Sequence, residues 1–165
     1  MAKLLINGRV LLDDGFAEGP AVLIEDGRIA ALVSEGDPRA QGATIHDLEG
    51  ASLLPGFIDS QVNGGGGVLF NDAPTVEAIR AIGAAHRRFG TTGFLPTLIS
   101  DDLSVIAEAI ASVRAAIAQK VPGVIGVHIE GPYISKERKG THDPARFRGL
   151  DERGVQLLAS LGVGR

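Results

Sequence analysis

The chain has 165 residues, 44% apolar and 22% charged, and its 16 basic and 20 acidic side chains leave a net charge of −4. Such values fit a globular chain of one domain or slightly more; they exclude a polybasic surface for nucleic acid or membranes, and no run approaches the ~18 apolar residues of a membrane span. Without cysteine there are no disulfides, thiolate zinc sites or thiol nucleophiles. Met1-Ala2-Lys3-Leu4 enters an alternating strand pattern directly, so a soluble, cytoplasmic protein with no leader segment is expected.

The first fifty residues read as β structure. Lys3 to Leu12 is a short strand pair broken at Asn7-Gly8. Ala21 to Val33 is a hairpin with Asp26-Gly27 at its tip, a pair that tolerates positive φ. Asp13-Asp14-Gly15 and Gly36-Asp37-Pro38 are turns, and the alternation from Thr44 to Glu49 closes the unit.

At Leu53 the texture changes. Leu53 to Asp59 is a nearly continuous apolar run, the mark of a strand buried on both faces. A helix with Val76, Ile79, Ile82, His86 and Phe89 on one stripe follows, with Asp72 or Thr75 as N-cap and Gly90 as its stop. Thr92 to Ile99 is a second buried strand, although Pro96 is unusual inside one. Ser100 or Asp101 caps a helix with the stripe Leu103, Ile106, Ile110, Val113 and Ile117. Val124 to Glu130 is a third strand, and Asp151 opens a third helix through Val155, Leu158 and Leu161.

Three successive strand-helix units predict parallel βαβ connections, in either an open doubly wound sheet or a (β/α)8 barrel. A barrel needs roughly 200 residues or more, so a barrel here is a partial one. In both folds ligands gather at the carboxyl ends of the strands. Those ends carry Gln61-Val62-Asn63 followed by four glycines, and His128-Ile129-Glu130-Gly131-Pro132 followed by Lys139-Gly140-Thr141-His142. A period of two places Gln61 with Asn63, and His128 with Glu130, on common strand faces.

Each residue also has a structural reading. Glu130 can be a rim ion-pair partner, but a buried carboxylate ending an apolar strand needs a cation or donors. His128 reads as a core histidine, His86 as part of a helix stripe, and His46 carries no signal. His142 lies in a polar loop that suits function and solvation equally. Gln61 and Asn63 can bond loop backbone, and neutral amides are weak metal ligands. The glycines resemble a phosphate cradle, but no Gly-Lys-Ser/Thr follows; a tight turn or close approach to a ligand is the better account.

The run Leu54-Pro55-Gly56-Phe57-Ile58-Asp59 with Gln61-Val62-Asn63-Gly64 resembles the opening barrel strand of the amidohydrolase superfamily. Gly66-Gly67-Val68, Phe70-Asn71-Asp72, Gly90-Thr91-Thr92-Gly93, His128 to Pro132 and Lys139 to His142 narrow the resemblance to its N-acetylglucosamine-6-phosphate deacetylase family. The resemblance implies an α/β fold: a partial (β/α)8 TIM-type barrel over residues 53–165, its first three β/α units, preceded by part of a small β-sandwich over residues 1–52. It also implies metal-assisted hydrolysis of the acetamide of N-acetylglucosamine 6-phosphate, giving glucosamine 6-phosphate and acetate.

Within that resemblance Glu130 matches a metal-ligating glutamate, and Gln61 a residue that reaches the metal through a water. His142 matches a substrate-contacting histidine, with Asn63 and Gly64 bordering the substrate pocket. Gln61-Val62-Asn63 stands where most amidohydrolases carry His-X-His, so a single divalent metal is implied: zinc, with iron, manganese or cobalt also fitting. The implied partner is the amino-sugar phosphate, with no nucleic acid and no membrane, and the complete enzyme is expected to be a homo-oligomer such as a dimer. No catalytic base is among these residues; the general-base aspartate is expected beyond residue 165, together with two histidine ligands and a phosphate-binding arginine. The 165 residues alone are therefore expected to be inactive, which turnover without an added partner would refute. The alternatives are another amidohydrolase, which would favour His-X-His at 61–63, and a non-catalytic truncated paralogue that assembles through its open sheet edge.

Overall fold

The computed structural model describes residues 1–162, and the chain divides into two compact units, Met1–Pro55 and Gly56–Arg165. The first unit contains two sheets. One has the order β5-β4-β1-β6, built from β1 (Lys3–Ile6), β4 (Ala21–Glu25), β5 (Arg28–Val33) and β6 (Thr44–Asp47). The other has the order β3-β2-β7, from β2 (Arg9–Leu12), β3 (Gly15–Glu18) and β7 (Ser52–Leu53).

The β4–β5 hairpin forms as its turn chemistry dictates, with Asp26 and Gly27 both at positive φ. Strand β4 is covered on both faces, so Ala21, Val22 and Leu23 are all buried, and Leu4, Leu23 and Val33 form the core beside it. The expected Lys3–Leu12 strand pair is corrected: β1 and β2 lie in different sheets, because β1 pairs with β4 and β6 while β2 pairs with β3 and β7. Asn7, at φ 55°, makes the turn between them.

In the second unit β8 (Phe57–Val62) is followed by a tight hairpin of β9 (Gly64–Gly65) and β10 (Val68–Leu69). Then come α1 (Val76–Arg87), β11 (Thr91–Ile99), α2 (Leu103–Ala118), β12 (His128–Glu130) and α3 (Glu152–Leu158). Strands β8, β11 and β12 form a parallel sheet in the order β12-β11-β8, each joined to the next through a helix. The apolar faces of α1 and α2 close over it: Ile79, Ile82, Ile106, Ile110 and Val113 pack with Phe70, Phe94 and Leu98 in one core. Thr75 caps α1 by accepting the Ala78 N–H at 3.2 Å.

Five sequence expectations change here. The apolar run from Leu53 is not one strand: Leu53 belongs to the first unit's β7, Pro55-Gly56 interrupts, and β8 starts at Phe57. Nor is β8 buried on both faces. Among the described residues it is an edge strand with β11 as its single neighbour, which leaves Ile58 72% exposed, while Val62 turns into the core. The cap position of α2 is Asp102, whose side chain makes no capping bond and pairs with Arg146 instead, rather than Ser100 or Asp101. Strand β12 is confined to His128–Glu130, with Val124 touching β11 through a single bridge to Phe94. Phe89 falls past the end of α1 and is exposed.

Among the described residues no helix is long and apolar enough to cross a membrane. Helix α3 is capped by Asp151, which accepts the Gly154 N–H at 2.7 Å and pairs with Arg148. The Arg148 guanidinium first, and the Gly154 N–H second, hold the Asp151 carboxyl below its ordinary range. A carboxyl lowered on folding stabilises the fold fully above its unfolded value, about pH 4, and loses that contribution as pH falls through the lower folded value. Acid titration is thus expected to fray α3 less steeply in Asp151→Asn than in the parent, read from the pH dependence of helical circular dichroism.

Candidate functional site

The carboxyl ends of β8 and β12 and the loop after β12 meet at a cleft of about 300 Å³. Gln61, Asn63, Asn71, Glu130 and Thr141 line it, with Leu69 and Ile99 as apolar walls. Gln61 and Asn63 share this wall while Val62 between them points into the core, as strand alternation requires.

Glu130 is the centre of the polar contacts. The Gln61 amide donates to Oε2 at 2.9 Å, and His142 Nε2 faces Oε1 at 3.3 Å. The carboxylate is 34% exposed at its side chain, so the expected burial is corrected: its charge is met by the Gln61 amide, the His142 ring and solvent. His142 moves the other way. It is not a solvated loop residue but is buried, its ring tilted against Phe147 with centroids 6.4 Å apart and its Nδ1 on Ser100.

His128 is satisfied within the sheet, with Nδ1 3.3 Å from the Thr97 hydroxyl. His86 reaches from α1 to the Gly64 carbonyl at 2.9 Å, and His46 lies exposed on β6. Gly64 is therefore occupied in the β9–β10 hairpin and is not one of the cleft-lining residues. The glycine run makes a tight turn, Gly66 and Gly67 standing at φ 63° and 82°.

Two residues without an assigned part in the sequence pattern shape the cleft. Asn71 places its amide against the end of β11, accepting the Ile99 N–H at 3.0 Å and donating to the Ile99 carbonyl at 3.3 Å. Thr97 explains Pro96. A proline cannot donate to the ladder, but it falls at a register shift, and the Thr97 hydroxyl accepts the Val62 N–H at 2.8 Å. Thr97→Val keeps the shape and strands that buried N–H together with the His128 contact. A loss of about 1–3 kcal/mol is expected in a urea melt; an unchanged midpoint would show that the hydroxyl is dispensable.

A catalytic metal generally takes three protein ligands. The described residues contain no group of three or more histidine, aspartate or glutamate side chains placed to hold one. The donor chemistry fits one ligand, Glu130, whose oxygens keep lone pairs beyond the two contacts above.

No family model matches the chain. It is 44% identical over 164 residues to an N-acetylgalactosamine-6-phosphate deacetylase of Shewanella sp. (strain ANA-3), covering 97% of this chain and 42% of that protein. It is 39% identical to an N-acetylglucosamine-6-phosphate deacetylase of Haemophilus influenzae, covering 86% of this chain and 37% of the relative. A crystal structure of N-acetylglucosamine-6-phosphate deacetylase from Pasteurella multocida superposes with a TM-score of 0.92 at 28% identity, over 98% of this chain and 42% of that one. The chain thus spans about two-fifths of the length of these relatives. Over nearly all its residues it is similar to proteins named N-acetylglucosamine- and N-acetylgalactosamine-6-phosphate deacetylases.

Proposed function

We propose that these residues form part of a deacetylase that hydrolyses the acetamide of N-acetylglucosamine 6-phosphate to glucosamine 6-phosphate and acetate, and that they contribute the Glu130 side of its active site. The observation that carries this reading is the convergence of Gln61, Glu130 and His142, from two strand ends and a loop, beside one cleft. The fold that goes with it is a small β-sandwich portion followed by the first three β/α units of a (β/α)8 barrel. Supporting it are the adjacent parallel strands joined through helices.

In this reading Glu130 is one ligand of a single divalent metal, zinc or else iron, manganese or cobalt, with its other ligands outside the described residues. When bound, such a metal polarises the acetamide carbonyl and lowers the pKa of a water from ~15.7 toward ~7. Gln61 orients the Glu130 carboxylate and would reach the metal through a water. His142 turns its Nε2 from Glu130 to an oxygen of the sugar or acetamide, and Asn63 borders the sugar, with Gly64 behind it. Proton transfer to the leaving amine belongs to an aspartate outside these residues. The complete enzyme is a cytoplasmic homo-oligomer.

N-acetylgalactosamine 6-phosphate is a second substrate reading, with the 44% identity to the Shewanella protein in its favour. A chimera in which this chain replaces the matching residues of that deacetylase tests both. Acetate release from N-acetylglucosamine 6-phosphate is the expected result, with the galactosamine epimer assayed beside it. A folded chimera that retains divalent metal yet turns over neither sugar phosphate would sink the reading.

A further inference from the structure

We propose that His86 is a positioning residue: its Nε2–H anchors the glycine hairpin β9–β10 to α1 and so fixes the cleft wall on which Asn63 and Leu69 stand. The hairpin has little of its own to hold it in place. One arm is Gly64–Gly65, the other Val68–Leu69, and Gly66 and Gly67 turn between them at φ 63° and 82°. A two-stranded ribbon this short is marginal in water, and glycine loses the most backbone freedom on ordering. Its two ends nevertheless carry Asn63, Leu69 and Asn71 to the cleft. They are joined at the base by the Phe70 N–H, which donates to the Asn63 carbonyl at 2.8 Å. A wall built this way needs support from behind.

The C-terminal turns of α1 supply it. His86 is half-buried there, and its Nε2 lies 2.9 Å from the Gly64 carbonyl oxygen. A carbonyl only accepts, so the ring donates. The rest of the approach is steric. A Cβ on Gly65 would lie 2.9 Å from His86 Nε2, and one on Gly66 would lie 3.2 Å from the Ala81 carbonyl oxygen. The glycine run is therefore shaped by the helix behind it as well as by its own turn. That helix is a fixed base, because Ile79 and Ile82, on the same face as His86, are wholly buried in the core. His86 carries the rigidity of this core to a strip of glycine backbone that has no side chains to pack.

The inference deepens the proposed function and rests on it only for the claim that this wall meets the sugar; the anchoring itself is read on this chain alone. His86→Leu keeps the bulk and removes the donor. In amide hydrogen exchange it should speed the Phe70 amide about tenfold, the effect of one lost hydrogen bond on a local opening, and leave the Val113 amide of α2 unchanged. His86→Gln, whose carboxamide N–H reaches as far as Nε2, should restore the parent rate. In the Shewanella chimera His86→Leu should raise KM for the sugar phosphate about fivefold or more with kcat within about twofold, the mark of lost uniform binding. Should His86→Leu fail to fold, Gly65→Ala takes its place with the same signature, since the added methyl pushes the hairpin off the ring. Phe70 exchange that does not move, that accelerates together with Val113, or that His86→Gln fails to restore overturns the proposal, and so does an unchanged KM in an active chimera. A parent chimera that turns over neither sugar phosphate removes the proposed function instead, and Phe70 exchange then decides the role of His86 by itself.

Discussion

Replacing Glu130 by glutamine in the Shewanella chimera is expected to lower acetate release at least about a hundredfold while leaving the fold intact. Partners that only orient a metal ligand cost about 10–100-fold when removed, so a direct ligand belongs at or above the upper end. Glutamine has nearly the same shape and can still bond Gln61 and His142, so what the substitution removes is the charge and one strong oxygen donor. That separation gives the experiment its value. Circular dichroism should be unchanged, divalent metal content should fall, and the initial rate should collapse. A variant within about tenfold of its parent would reduce Glu130 to the orienting role that Gln61 and His142 already share.

The second large effect concerns stability. Phe94→Ala is expected to destabilise the Gly56–Arg165 unit by about 3–5 kcal/mol, the usual cost of deleting a buried phenyl ring. Phe94 is 2% exposed at the centre of β11, and α1 approaches it so closely that a Cβ on Gly83 would lie 2.7 Å from its ring. Its backbone is held as firmly, donating to the Gly123 carbonyl at 2.7 Å and accepting from the Ile125 N–H at 3.2 Å. The ring therefore leaves a hole that the neighbouring strand and helix are poorly placed to fill. Urea unfolding should show the loss in its midpoint; a change below about 1 kcal/mol would mean that the site collapses around the deletion.

Features that depend on local chemistry are legible in the sequence. The Asp26-Gly27 hairpin, the Thr75 and Asp151 caps and the helix stripes through Ile79, Ile82, Ile106 and Ile110 each follow from a few adjacent residues. What depends on neighbours distant in sequence is not. Apolar Phe57 and Ile58 look like core residues, yet their exposure is decided by whether a strand or helix lies beside β8. Strand β3 is not legible, because Gly15 reads as a turn and four residues carry too little alternation to register. At the cleft, Gln61, Glu130 and His142 stand out as chemistry-bearing residues at strand ends. Ser100 does not, because a serine before a helix reads as a cap; its partner is forty-two residues away. Asn71 was similarly visible as part of a motif, whereas its task as a partner for backbone was not.

The grip of Asn71 on Ile99 has a consequence for how the cleft meets its guest. By holding both the N–H and the carbonyl of one residue, a side chain from the segment after β10 stands in for a missing strand and ties two walls of the opening into a single piece. Leu69, Asn71, Ile99 and the adjoining Glu130 must then shift together or not at all. Little ordering is left for an incoming molecule to impose, so affinity is preserved that a floppier rim would forfeit to entropy.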